Sequence, residues 1–345
     1  MSTSAPISSG PSTDVSVSDR IRHRHVDTNG IRMHVAEAGP DDGPAVVLCH
    51  GFPECWYSWR HQLVALGEAG YHVLAPDQRG YGTTDMPAAI ADYTQLHLVG
   101  DIVGLLDARG IETAVVVGHD WGGPVAWHCA LLRPDRFRAI AALSIHFSGI
   151  APVATPYVSI TDMMRAALGD GFLYILHFQE PGVAEAELDA DLRRTLGSVL
   201  YSLSGDIPRD EYRFFDPSAR SLFDVVNDLP GPLDWLSDAD LDAFVESFNH
   251  HGTFFGGINW YRNIDRNREL LAPFVGVQVR QPALFIGAEF DSIFGQTAEA
   301  VLATRAAVPN LRDPIWVAGS GHWIQQEEPE IVNAALLDFL GSLPD

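Results

Sequence analysis

One aspartate stands where a strand pattern gives way to a helix pattern. The segment Gly118–Gly123 (GHDWGG) ends the apolar run Thr113–Gly118 and opens the helical pattern Gly122–Leu132. It has the form of a nucleophile elbow, G-x-S-x-G, with Asp120 in place of serine. A carboxylate suits attack on an sp3 carbon that bears a leaving group, and the product is an ester that water must hydrolyse. The alternative is that Asp120 only caps the following helix.

Hydrolysis of such an ester requires a general base and a group that orients it. His322 follows the strand pattern Ile315–Ala318, and Asp291 follows the strand pattern Ala283–Gly287. Where this elbow occurs, the chain order is nucleophile, acid, histidine, and these residues obey it. His322 is therefore the predicted base and Asp291 the acid that orients it, with Glu289 as the rival acid.

A second motif, His50–Pro53 (HGFP), directly follows the buried-strand pattern Ala45–Cys49. A loop at that place can point backbone N–H groups toward the nucleophile. The N–H groups of Phe52 and Trp121 are the predicted oxyanion hole, and an ordinary turn after a strand is the alternative. The other members of the motif are His50, Gly51 and Pro53, and we do not assign His50 as a base.

These loops need a sheet to hold them together. Short apolar runs alternate with longer helical patterns, which predicts an α/β fold with a mostly parallel sheet flanked by helices. The predicted strands are Arg22–Val26, Ile31–Glu37, Ala45–Cys49, Tyr71–Pro76, Thr113–Gly118, Phe137–Ile145, Ala283–Gly287 and Ile315–Ala318. The predicted core helices are Thr94–Ala108, Gly122–Leu132 and Ile331–Leu340.

The interval between Ile145 and Ala283 is far longer than an ordinary crossover needs. It contains helical patterns over Glu185–Leu200 and Asp238–Phe248, which indicates an inserted helical cap. A cleft between two such layers is a natural place for a small apolar ligand. The predicted organisation is a disordered tail at 1–21, a core at 22–148 and 271–345, and a cap at 149–270.

Composition excludes several classes of function. The net charge of −23 argues against a nucleic-acid interface and against docking to an anionic membrane. Three cysteines without a CxxC motif favour neither a disulfide framework nor a thiolate metal site. The N-terminus lacks the pattern of a signal peptide, and no apolar run is long enough to span a membrane. A reduced, cytoplasmic protein without a membrane anchor is the expectation.

Taken together, HGFP and GHDWGG resemble the epoxide hydrolases of the α/β-hydrolase fold. The segment Phe178–Glu187 (FQEPGVAEAE) is similar to a cap segment of that family, and Asn259–Asn263 (NWYRN) is similar to another. Ala288–Asp291 (AEFD) and Gly321–Trp323 (GHW) also match family segments. The resemblance extends over residues 22–342. Cys55, where serine is usual, and His177, where an aromatic is usual, depart from the pattern.

The resemblance implies that a lipophilic epoxide is hydrolysed to a vicinal diol through an ester on Asp120. It also implies that Tyr174 and Tyr261 donate hydrogen bonds to the epoxide oxygen, although each could be an ordinary core aromatic. A phenol, with a reference pKa of about 10, is protonated at neutral pH and can donate. No metal or organic cofactor is expected, and a homodimer is possible. Besides Phe52 and Trp121, the residues expected to line the pocket are Phe172, Phe178 and Trp323.

Two other functions compete with this interpretation. A haloalkane dehalogenase would use the same Asp120, His322 and acid, and Trp121 after the nucleophile is typical of that family. It would need donors that stabilise a halide in place of the paired phenols. A non-catalytic binding protein of the same fold is disfavoured, because such proteins usually lack a triad member and none is lacking here.

Overall fold

The computed structural model describes residues 20–153, 157–169, 171–213, 216, 218–291 and 297–344. The predicted disordered tail falls almost wholly outside the described residues. One eight-stranded sheet runs in the order β1-β2-β4-β3-β5-β6-β7-β8. The strands are β1 Arg22–Thr28, β2 Ile31–Ala38, β3 Ala45–Cys49, β4 His72–Pro76, β5 Ala114–His119, β6 Phe137–Leu143, β7 Ala283–Ala288 and β8 Ile315–Val317.

The first strands differ in direction from the rest. β1 and β2 form an antiparallel hairpin, β2 pairs antiparallel with β4, and the pairs from β4 to β8 are parallel. The hairpin turns at Asn29 and Gly30, whose positive φ angles of 44° and 79° suit a two-residue Asn-Gly turn. The α/β-hydrolase architecture, a mostly parallel sheet flanked by helices, is thereby confirmed.

Helices cover both faces of the sheet and fill the long interval between β6 and β7. In chain order they are α1 Arg60–Glu68, α2 Gln95–Ala108, α3 Gly122–Leu132, α4 Ile160–Leu168, α5 Tyr174–His177, α6 Val183–Leu188, α7 Leu192–Ser202, α8 Asp238–Asn249, α9 Phe255–Arg262, α10 Ile264–Leu271, α11 Ala298–Ala303, α12 Ile324–Glu327 and α13 Pro329–Gly341. Short 3-10 helices occur at Trp56–Trp59, Ile90–Tyr93, Leu222–Asp224, Ala272–Phe274 and Thr304–Ala306.

The central strands are buried on both faces, which explains their continuous apolar sequences. Val46 belongs to the layer that contains Leu63 of α1 and Leu336 of α13. Val47, its neighbour, points the other way and belongs to the layer that contains Ile102 of α2. The sheet is therefore a fixed platform, and the loops after its strands are held at one edge.

Helices α4 to α10 lie between β6 and β7, in the interval assigned to a cap. The predicted single helix over Glu185–Leu200 is in fact two helices, because Asp191 interrupts it. The Asp191 carboxylate accepts a hydrogen bond from the Arg194 N–H and caps α7. The exact cap boundaries, 149 and 270, stay a prediction. Among the described residues, no helix is both long and apolar enough to cross a membrane.

Candidate active site

The strand-to-helix turn lifts Asp120 to the edge of the sheet. Asp120 has a φ of 48°, and its side chain lies at the start of α3, where the helix dipole favours an anion. One carboxylate oxygen, Oδ1, accepts the Phe52 N–H at 2.8 Å. A Cβ atom at Gly51 would lie 2.3 Å from that same oxygen, so only glycine permits the approach. HGFP and the elbow are thus joined directly.

The three predicted triad residues converge although they come from three loops. His322 Nδ1 lies 3.0 Å from Asp291 Oδ2, and His322 Nε2 lies 3.5 Å from Asp120 Oδ2. All three are buried, with exposures of 1% for His322 and 6% for each aspartate. Glu289, the rival acid, is exposed and accepts the Gly319 N–H instead. Its side chain is therefore committed elsewhere.

The two carboxylates control the charge of His322. Burial disfavours its charged form, but the negative charges and hydrogen bonds of Asp291 and Asp120 outweigh burial and raise the pKa of His322 to about 10. The imidazole is therefore protonated at neutral pH. Removal of either negative charge would lower that pKa.

The cap places two buried phenols opposite Asp120. Tyr174 and Tyr261 are 7% and 3% exposed, and their rings lie 5.7 Å apart. The Phe178 ring packs edge to face against both, at 5.6 Å from Tyr174 and 5.1 Å from Tyr261. Burial first, and then the negative charge of Asp120 among other groups, raises the pKa of Tyr174 and of Tyr261 well above the usual value. Both hydroxyls are therefore neutral and able to donate.

An ion pair joins the segment Asn259–Asn263, which carries Tyr261, to the segment Phe178–Glu187, which follows Tyr174. Arg262, next to Tyr261, binds both oxygens of Glu185 through its Nη1 and Nη2 at 2.6 and 2.9 Å. Its Nε also donates to the Phe178 backbone oxygen at 2.9 Å. A bidentate pair of this kind fixes direction as well as distance. The segments FQEPGVAEAE and NWYRN are therefore positioned relative to each other by polar contacts outside the aromatic cluster.

Two cavities meet at Asp120. A chamber of about 20 Å³ is lined by Asp120, His322 and the two phenols together with apolar side chains. Its lining is Phe52, Asp120, Tyr174, Phe178, Val199, Leu203, Leu222, Tyr261 and His322. A larger cavity of about 390 Å³ begins on the other side of Asp120. Its lining is Asp120, Trp121, Pro124, Ile145, His146, Met164, Ile175 and Ile264.

The aromatic residues expected in the pocket separate into two groups. Phe52 and Phe178 line the chamber and Trp121 lines the larger cavity, whereas Phe172 and Trp323 line neither of these two. The Phe172 ring lies 5.5 Å from that of His177. The indole of Trp323 donates to the Leu200 backbone oxygen at 2.7 Å while its ring packs against His322. Trp323 thus supports the base from behind.

His50 stabilises its loop and does not reach the chamber. Its Nδ1 donates to the Gly51 backbone oxygen at 2.9 Å, and its Nε2 accepts the Gln78 N–H at 3.1 Å. Burial lowers the pKa of His50, so the ring is neutral in this arrangement. The Phe52–Pro53 peptide bond that follows is cis.

Glu54 and His119 form a buried pair beside the predicted triad, and the sequence analysis did not identify it. Glu54 Oε2 accepts the Gly51 N–H and His119 Nδ1, each at 2.8 Å, and His119 Nε2 donates to the His322 backbone oxygen. Burial alone would raise the pKa of Glu54, but the charge and hydrogen bond of His119 outweigh it and lower that pKa to about 2. The pair links HGFP, the elbow and the His322 loop.

A second carboxylate that the sequence analysis did not identify holds the loop of the base. Glu327 Oε2 accepts the N–H groups of Gly321 and Gly205, each at 2.8 Å, and Oε1 accepts the Trp323 N–H at 2.9 Å. It thus binds the residues on both sides of His322. The sequence shows that Glu327 lies five residues after His322, but only the folded loop shows which groups Glu327 contacts.

Comparisons with known proteins agree with this geometry. Residues 44–175 match a family model described as the alpha/beta hydrolase fold. Epoxide hydrolase A of Mycobacterium tuberculosis is 45% identical over 93% of this chain and 97% of its own. Epoxide hydrolase 2 of Siraitia grosvenorii is 41% identical, over 93% of this chain and 99% of its own.

Solved structures lead to the same family. A crystal structure of epoxide hydrolase A from Mycobacterium thermoresistibile superimposes with a TM-score of 0.85 at 44% identity and covers 94% of this chain and 99% of that one. An epoxide hydrolase from an endophytic Streptomyces gives a TM-score of 0.86 at 43% identity, covering 94% of this chain and 96% of that one. The chain therefore belongs to the epoxide hydrolases of the α/β-hydrolase fold.

Proposed function

We propose that the protein hydrolyses lipophilic epoxides to vicinal diols through a covalent ester on Asp120. The observation that carries the proposal is that Asp120, His322, Tyr174 and Tyr261 line one small, buried chamber. Nucleophile, base and two neutral donors are the groups that this reaction requires. No metal or organic cofactor enters the proposed steps.

In the first step, a carboxylate oxygen of Asp120 attacks one oxirane carbon. The C–O bond to that carbon breaks, and its electron pair goes to the epoxide oxygen. Tyr174 and Tyr261 donate to that oxygen and neutralise the developing alkoxide with a proton. Donors fixed in a chamber without bulk water stabilise developing charge more strongly than solvent would. The product of this step is a hydroxyalkyl ester of Asp120.

Esterification then prepares His322 to act as a base. The ester has no negative charge, so one of the two carboxylates that raise the His322 pKa is lost. The imidazolium therefore releases its proton more readily than in the free enzyme, and this proton replaces the one that the tyrosine pair gave to the epoxide oxygen. Asp291 remains bound to Nδ1 and keeps Nε2 directed at the ester. The charge of the intermediate thus switches the histidine from a stabilising cation to a base.

In the second step, water attacks the ester carbonyl carbon while His322 takes one of its protons. The chamber of about 20 Å³ has room for a single water molecule. The Phe52 N–H, already directed at Oδ1, stabilises the tetrahedral oxyanion, and the Trp121 N–H is the second proposed donor. The acyl C–O bond then breaks, and its electron pair goes to the diol oxygen, which takes the proton of the new carboxyl group. Asp120 is thereby regenerated as a carboxylate, and His322 keeps the proton that it took from water. Overall, one epoxide and one water give one diol.

The dehalogenase alternative has weaker support. It needs N–H donors for the departing halide, and Trp121 is the candidate that the sequence offers. The Trp121 ring packs edge to face against the ring of Tyr261, with the centroids 4.9 Å apart. The indole thus packs against one of the two phenols that are proposed to bind the epoxide oxygen, which favours the epoxide reaction.

Trapping the ester tests the proposal directly. We would incubate His322→Gln with styrene oxide and measure the intact mass, then the mass of the peptide that contains Asp120. We expect an added mass equal to the whole epoxide, located on Asp120, because the ester forms but is not hydrolysed. The control is the double variant Asp120→Asn/His322→Gln, which should acquire no such mass.

Other results would contradict the proposal. An adduct on another residue would remove Asp120 as nucleophile. If neither an adduct nor wild-type diol formation occurred, while a chloroalkane left an alkyl group without its halogen on Asp120, the protein would be a dehalogenase. Binding of epoxide without turnover or adduct would favour a non-catalytic binding protein.

A further inference from the structure

We infer that the preferred substrates are terminal epoxides that carry one extended, uncharged apolar arm. This rests on the proposed function and concerns the shape of the substrate on the two sides of Asp120. The oxirane would sit at the junction of the two cavities, with its unsubstituted carbon toward the chamber and its arm in the larger cavity.

The two cavities differ greatly in size. The space on the side of the phenols is about 20 Å³, whereas the space on the side of Trp121 is about 390 Å³. The smaller value corresponds to about one water molecule. A phenyl ring or a butyl chain on the second oxirane carbon therefore has no room beside the phenols. The larger cavity accepts a chain or an aromatic ring.

The small side is also resistant to expansion. Phe178 is fully buried, and Val199 and Leu222 are 5% and 2% exposed. The Phe52 ring packs edge to face on Phe178 at 5.6 Å and on Tyr261 at 5.4 Å. A bulky group would have to displace close-packed rings, which costs more than the group's own burial returns. The small size is therefore maintained by close packing around the chamber, to which the aliphatic side chains of Val199 and Leu222 contribute.

The large side is built differently. Trp121, Ile145, Met164 and Ile264 are each only partly buried, so this cavity opens toward solvent. Met164 belongs to α4, and an unbranched thioether adapts to ligands of different shape. The larger cavity is therefore open to solvent and adaptable in shape, as a substrate with a long arm requires.

Charge along the large side favours an uncharged arm. The described residues that line it include neither arginine nor lysine, and the carboxylate of Asp120 is the negative group at its inner end. His146 is the one other titratable residue in this lining, and burial lowers its pKa, which favours the neutral ring. An arm ending in a carboxylate would find no cation here and would be repelled by Asp120.

Two isomeric epoxides separate this inference from the proposed function. 1,2-Epoxydecane and trans-5,6-epoxydecane have the same atoms and nearly the same hydrophobicity, but only the first leaves one oxirane carbon unsubstituted. We would measure kcat/KM for both with the wild-type enzyme. We expect the terminal isomer to be favoured by about 100-fold, the scale on which a pocket discriminates by shape.

Each outcome has a distinct meaning. Equal rates, or faster turnover of the internal epoxide, would overturn the inference and leave the proposed function intact. Absence of diol from both isomers, together with absence of an ester on Asp120 in His322→Gln, would overturn the proposed function and the inference with it.

Variants on the two sides provide the reciprocal test. Val199→Ala enlarges the chamber and should raise the ratio of internal to terminal turnover by about tenfold. Leu222→Ala is a second enlargement of the same wall if the first variant is poorly folded. The matched control is Ile264→Ala in the large cavity, which should lower kcat/KM for the terminal isomer without a gain for the internal one. An unchanged ratio in both chamber variants, with folding intact, would contradict the inference.

Discussion

The half of the site that belongs to the sheet and the half that belongs to the cap are held by different forces. The sheet half, Asp120, Asp291 and His322, is charged and is fixed by hydrogen bonds and ion pairs. In the cap half, Tyr174 and Tyr261 are neutral and their rings pack edge to face, while the Arg262–Glu185 ion pair holds the backbone beside them. Charges in a dry site need polar partners at the charged atoms themselves, whereas a neutral phenol is placed largely by the packing of its ring.

This difference in forces corresponds to a difference in chemistry. In the proposed mechanism the phenols act when the epoxide opens, and His322 with Asp291 acts when the ester is hydrolysed. Variants in the two halves should therefore slow different steps. Pre-steady-state measurement of ester formation and ester hydrolysis can detect this, since each step has its own rate constant.

The largest effect is expected from Asp291→Asn in the sheet half. Asparagine can hold the wrong histidine tautomer and removes a charge that raises the His322 pKa, so ester hydrolysis should fall by up to about 10,000-fold. Ester formation should change far less, and the ester should accumulate in single-turnover mass spectra. The matched control is Glu289→Gln, the exposed neighbour, which should hydrolyse ester normally. If Asp291→Asn slowed ester formation and ester hydrolysis by the same factor, the assignment of the sheet half to hydrolysis would be wrong.

The next effect concerns the cap half. The double variant Tyr174→Phe/Tyr261→Phe keeps the rings and removes both donors, so ester formation should fall by about 1,000-fold and each single variant should lose less. Rapid-quench measurement of ester on Asp120 would follow this. Exposed Tyr157→Phe is the control and should behave as wild type. A double variant that forms ester at the normal rate would remove the phenols from the mechanism.

The sequence predicts the residues of the sheet half and those of the cap half by different routes. The structure brings together Asp120, Asp291 and His322, which residue type and topology predict because each follows a strand pattern in a fixed chain order. The cap tyrosines came only from a family resemblance, because helical periodicity does not say which ring faces Asp120. Glu54 and Glu327 were not identified, since their partners are mostly backbone N–H groups that meet only after the loops fold.

The places where the structure differs from the sequence prediction also have physical causes. The pattern over Glu185–Leu200 is periodic throughout, and only the side-chain cap at Asp191 divides it. Phe172 and Trp323 are aromatic and adjacent to the site, but one packs on His177 and the other behind His322. Residue type indicates that an aromatic side chain is buried, but tertiary packing decides whether that side chain lines a cavity.

The pH dependence of stability should distinguish the two halves. The folded-state pKa of His322, about 10, lies above its unfolded value, so its contribution to the free energy of unfolding is complete below about pH 6.5 and is lost as pH rises through 10. That contribution amounts to a few kcal/mol at most. Urea unfolding at pH 6.5 and 10 should show a larger loss for wild type than for His322→Gln. Tyr174→Phe should follow wild type, and equal slopes for wild type and His322→Gln would contradict the charged description of the sheet half.

The smallest effect is expected for Glu327, which supports the sheet half without touching the chamber. Glutamine at this position presents an amide NH2 to N–H groups that now meet a carboxylate, so at least one of the contacts to Gly321, Gly205 and Trp323 is lost. The His322 loop then becomes less well positioned, and ester hydrolysis should slow by about tenfold while ester formation is retained. Exposed Glu330→Gln is the control, because it changes the same charge nearby without affecting the loop. A general loss of folding would lower the amplitude of both steps together, so a selective change in the hydrolysis rate constant identifies positioning of the base.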